Sequence, residues 1–102
     1  MKTTFREENG KYIAELEGRL DTVAAEQTTK DLAPLNDCTG HDIIIDCTKL
    51  EYISSSGLRI LLSIRKNAAA VGSKVSILNI NKEIQKVFEM TGFNTLFDIQ
   101  NQ

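Results

Sequence analysis

Residues 43–80 leave this chain few folds to choose from. Ile43-Ile44-Ile45-Asp46-Cys47 is a short continuous apolar run, the pattern of a strand buried on both faces. Leu58, Leu61, Leu62 and Arg65 then follow a helical step, with Ile60, Ile64, Ala68 and Val71 on an adjoining stripe. Gly72 closes that helix, and Val75, Ile77 and Leu78 mark a further strand over 74–80. Strand 43–47, helix 57–71 and strand 74–80 therefore make a βαβ unit. Its two strands should run parallel, with a right-handed crossover.

The flanks add elements of the same kind. Residues 3–8 and 11–17 read as strands joined by Asn9-Gly10, both of which accept positive φ in a tight hairpin. In the second strand Tyr12, Ala14 and Leu16 share one face, and Glu15 and Glu17 point the other way. Asp21 or Thr22 caps a helix running to about residue 33, with a ragged stripe of Val23, Ala24, Ala25, Leu32 and Leu35; Pro34 ends or bends it. Residues 36–40 form a polar loop, and His41 just after it is expected to be exposed. Asn81 caps a last helix carrying Ile84, Val87 and Phe88, which Gly92 ends. Phe93, Leu96, Phe97 and Ile99 pack back on the domain, with room for a short final strand. The predicted class is α/β, a mixed sheet with an N-terminal hairpin and helices packed against it, over one domain of 102 residues.

Composition excludes several function classes. Net charge is -2, with no basic stripe to neutralise a row of phosphates, which argues against direct binding of nucleic acid. Cys38, Cys47 and His41 are too few for a zinc site, so no metal is expected. Free thiols and strand-like sequence directly after Met1 point to the cytoplasm, with no targeting segment. No apolar run approaches the roughly 20 residues that span a bilayer, so no membrane insertion is expected. Gly72-Ser73-Lys74 lacks the glycines of a phosphate-binding loop, and no cofactor is implied. Ser55 lacks the glycine two residues before it that a hydrolase nucleophile elbow needs, because Ile53 stands there, so the chain is not expected to be an enzyme.

Chemistry concentrates in Ser54-Ser55-Ser56-Gly57. These hydroxyls sit at or just before a helix N-terminus, where free amides and the macrodipole favour a negative charge. The plainest reading is a cap and its lead-in, with Ser56 read as a cap rather than a modified serine. Asp21 reads first as a cap as well, and Asp46 as structural, bonding loop amides. Gly57 would keep bulk off the loop, and Arg59 lies in the first helical turn.

Four segments together are similar to the STAS domain family, and within it to small stand-alone bacterial anti-sigma factor antagonists. They are Gly18-Arg19-Leu20-Asp21, Ile43 to Thr48, Tyr52 to Leu61, and Val87 to Phe93 with Leu96-Phe97. The resemblance implies that Ser55 is the phosphorylated serine. The family commonly has Asp where Ser54 stands, and a second hydroxyl where Ser56 stands. It also implies a partner surface of Asp21, Thr22, Ser54, Ser56, Gly57 and Arg59, and a last helix for which this chain has little room. The implied partners are an anti-sigma factor serine kinase and a serine phosphatase. Unphosphorylated, such a protein holds the anti-sigma factor and frees the sigma factor; phosphorylation releases it. Two alternatives stand beside this one. The first is a constitutive STAS adaptor subunit of a transporter or sensory complex, without phosphorylation. The second is a sensor that binds a small anion at the helix N-terminus.

Overall fold

Asn9 and Gly10 both take positive φ, 53° and 77°, so β1 (Lys2–Glu8) turns straight back on β2 (Lys11–Leu20). This hairpin opens a computed structural model that describes residues 1–101. After it come α1 (Thr22–Asp31), a 3-10 turn (Ala33–Asn36), β3 (Ile43–Ile53) and α2 (Ser55–Ala70). Then follow β4 (Val75–Leu78), α3 (Lys82–Thr91), a second 3-10 turn (Phe93–Thr95) and β5 (Asp98–Gln100). The strands lie in the order β1-β2-β3-β4-β5. Only β1 and β2 pair antiparallel; β2–β3, β3–β4 and β4–β5 are parallel. The mixed sheet, the parallel βαβ unit and the short last strand are all present.

Element bounds depart from the sequence reading where pairing is irregular. β2 runs on to Leu20 and β3 to Ile53, past the expected ends at 17 and 47. The β2–β3 register shifts between Glu15 and Glu17 and again between Gly18 and Arg19, and Gly18 has φ 102°. Those shifts break the alternation of buried and exposed residues, leaving Cys47, Leu50 and Ile53 buried at every third position. A two-residue period cannot find such a strand. α1 stops at Asp31, and Pro34 lies in the 3-10 turn that follows, where Leu35 is buried.

β3 is not buried on both faces. Ile43, Ile45 and Cys47 are buried, and Ile44 and Asp46 between them are half-exposed. One core joins Ala14, Leu16, Ile45 and Ile77 of the sheet to Leu61 and Ile64 of α2 and Phe88 of α3. Phe88, Phe93 and Phe97 pack in series as tilted rings, with centroids 5.7 and 5.8 Å apart, and tie the C-terminal segment to that core. His41 is half-buried rather than exposed, because its ring stacks on Tyr12 at 4.3 Å. Both cysteines are free and buried, and burial, helped by Asp46, pushes the Cys47 thiol up to about 12. No helix among the described residues is long and apolar enough to cross a membrane.

Candidate functional site

The site begins where two parallel strands end in step. Leu20 pairs with Ile53, and the Ser54 N–H donates to the Leu20 carbonyl at 2.8 Å. Each strand then turns directly into a helix, so α1 and α2 start side by side. Asp21 caps α1, its Oδ1 accepting from the Ala24 N–H at 2.8 Å. Ser54 caps α2, its Oγ accepting from the Gly57 N–H at 3.2 Å.

The three serines thereby acquire different fates. Ser54 is 8% exposed and turns its hydroxyl inward. This corrects the expectation that Ser56 is the cap: α2 starts at Ser55, two residues before the expected 57. Ser54 has extended backbone, φ -90° and ψ 173°, as an N-cap does. Ser55 is the first helical residue and is exposed; Ser56 is half-buried. Amides at such positions have no intrahelical partner, and the first turn of α2 carries no acidic side chain. The local field at Ser55 therefore suits an added anion.

Gly57 faces inward. A Cβ there would lie 2.7 Å from Ile53 Cγ1 and 2.8 Å from Leu20 Cγ. Its bareness lets α2 sit close on the strand ends, rather than opening the loop to approach. Thr22 and Arg59 are exposed on α1 and α2. A groove of about 340 Å³ between the two helices is lined by Ala25, Leu32, Ile60 and Ile64, with Ser56 and Arg59 among its polar groups.

Three neighbours escaped the sequence reading. The Arg19 guanidinium lies 4.4 Å from the centre of the Tyr52 ring, and the two residues pair across β2 and β3. Each belongs to a motif already noticed, so aligning the two strand ends would have joined them. Val23 is 89% exposed on the first turn of α1, not part of a buried stripe. A β-branched apolar residue in a helix reads as core, and nothing local says otherwise. Asp46 is structural as expected, accepting from both the amide and the hydroxyl of Thr48.

BtrV of Bordetella bronchiseptica, provisionally named an anti-sigma factor antagonist, is 33% identical over 101 residues, 99% of this chain and 87% of that protein. An anti-sigma-factor antagonist (STAS) domain protein from Planctomyces limnophilus superposes with a TM-score of 0.88 at 15% identity, over 98% of this chain and 89% of that one. The Bacillus cell fate determinant SpoIIAA in its phosphorylated form gives 0.76 at 21% identity, over 99% and 91%. The profile of the STAS domain matches residues 2–102. This chain belongs to the STAS domain family.

Proposed function

We propose that the protein is an anti-sigma factor antagonist, a cytoplasmic binding protein rather than an enzyme, built as one STAS-like unit. Unphosphorylated, it holds an anti-sigma factor serine kinase and so frees the sigma factor. Transfer of the γ-phosphoryl group of ATP to Ser55 ends the complex, and a serine phosphatase resets it. The observation that carries this reading is the exposed Ser55 at the start of α2, between an inward-turned Ser54 and a half-buried Ser56. Two things support it from outside: the relative BtrV, and a solved relative of the same fold that exists in a phosphorylated form.

Physical chemistry makes one phosphate sufficient. Phosphoserine carries about -1.5 to -2 charge at neutral pH. The helix N-terminus and Arg59, one turn along, offset that charge within the protein. In a docked complex the phosphate must also lose its water and meet a partner face shaped for a neutral hydroxyl, and a buried charge left incompletely paired there costs several kcal/mol. A hundredfold loss of affinity needs only about 2.7 kcal/mol. Thr22, Val23, Ser56, Arg59 and the Arg19–Tyr52 pair surround Ser55 as the docking surface, with Asp21, Ser54 and Gly57 holding its shape.

The test is incubation with the kinase and ATP, followed by peptide mapping. One phosphate is expected, on Ser55. Ser55→Ala should accept none and still bind the kinase. Phosphate found on Ser54 or Ser56 in the wild-type chain would refute the assignment.

A further inference from the structure

β1 is an outer strand of seven residues. The sheet order leaves one side of β1 without a neighbouring strand. Glu8 and Lys11 flank the two-residue turn, and they make the close hydrogen-bonded pair of such a hairpin. By the alternation of an antiparallel ladder, the backbone N–H and C=O groups of Thr3, Phe5 and Glu7 then point away from β2. Phe5 sits at the middle of the strand and is 38% exposed, its ring 5.4 Å from Tyr12. The Thr3 hydroxyl oxygen is buried and lacks a hydrogen-bond partner.

We propose that β1 pairs antiparallel with β1 of a second copy of this chain, about a two-fold axis through the Phe5–Phe5 pair. This inference is independent of the anti-sigma reading. A two-fold axis normal to the sheet keeps each face on its own side, so permitted registers differ by whole two-residue steps along the strand. With Phe5 against the partner's Phe5, Lys2 faces the partner's Glu8 and Thr3 faces the partner's Glu7. The Lys2–Glu8 pairing, made twice by the two-fold axis, is opposite in sign. A turn about its Cα–Cβ bond lets the Thr3 hydroxyl donate to the partner's Glu7 carboxylate. Arg6 faces the partner's Thr4 and keeps its own ion pairs to Glu15 and Glu8.

Neighbouring registers fail on charge. One step one way sets Lys2 against the partner's Arg6; one step the other way sets Arg6 against the partner's Arg6. Like charges directly opposite destabilise a pairing. The edge charges thus act as a register key, selecting one closed dimer. Both β1 edges are consumed in it, and the outer strand left at each end of the joined sheet is the three-residue β5, too short to carry growth into a filament. No residue of β1 belongs to the Ser55 surface, so the dimer presents two of those surfaces.

The full chain should show a mass rising from 11.4 kDa toward twice that value with concentration in analytical ultracentrifugation. Phe5→Cys should cross-link to itself under mild oxidation, and Thr4→Cys should not. Glu8→Lys should weaken the dimer about tenfold or more, because it opposes two lysines at each end of the ladder. The charge swap Lys2→Glu with Glu8→Lys should restore it. A mass of 11.4 kDa at every concentration overturns the proposal, as does cross-linking of Thr4→Cys in place of Phe5→Cys. If Glu8→Lys proves unfolded by circular dichroism, the two cysteine variants alone decide.

Discussion

A methyl group added at Gly57 has nowhere to go. It would meet Leu20, fully buried, and Ile53, 5% exposed, both nearer than van der Waals contact allows. Two effects compete in Gly57→Ala. Helix propensity favours alanine by up to about 1 kcal/mol. Overpacking of a well-filled site costs about 1–3 kcal/mol. The second should win, lowering the melting temperature by several degrees, since each kcal/mol is worth about 4–8 °C in a domain of this size. A thermal melt decides it, and an unchanged midpoint would mean that Leu20 turns aside freely. The same residue shows what one-dimensional reading misses. A glycine beside three serines looks like loop; only the approach of β2 and β3 behind it makes it a packing residue.

At the scale of elements, α3 depends on one side chain. Asn81 Oδ1 accepts from the Ile84 N–H at 2.8 Å, and its Nδ2 donates to the carbonyls of Leu50 and Glu51 at 3.2 Å each. The residue therefore caps α3 and fastens it to the end of β3. Asn81→Ala should cost about 2 kcal/mol, combining a lost cap with carbonyls left without their donor. Asn81→Asp keeps the cap acceptor and loses the amide donor, so it should recover only part of that loss. Urea unfolding checks both, as a shift in midpoint with unchanged slope. The cap itself was legible, because Asn before Lys82-Glu83-Ile84 fits a local rule. Its cross-links to β3 were not, since they join residues about 30 apart. β3 itself was half legible. Its apolar first half obeys a simple pattern, and its second half pairs through a register shift.

For the whole molecule, each strand neighbours the next in sequence, and one core binds the sheet to all three helices. A switch in such a molecule works best at a point that the core does not feel. Ser55 satisfies that: it is exposed, and the cap beneath it is Ser54. Ser55→Glu should therefore unfold in one cooperative transition, with a melting temperature within a few degrees of the parent. Its affinity for the proposed kinase partner should nevertheless fall sharply. Calorimetry of folding and of binding on the same sample separates the two; a large fall in the melting temperature would show that the site is part of the fold's support.

The amino-acid sequence by itself determined the Asn9-Gly10 turn, the helix cap at Asn81, the stop at Gly92 and the parallel βαβ unit, and narrowed the cap of α1 to Asp21 or Thr22. Each follows from steric and hydrogen-bonding rules that act within a few residues. The family resemblance singled out Ser55 among three serines that local rules treat almost alike. Tertiary structure decided what each of those serines does, how far β2 and β3 run, that Val23 faces solvent and that Gly57 does not. Those outcomes depend on which distant segments pair and in what register, and burial is a property of the assembled layers rather than of any stretch of chain.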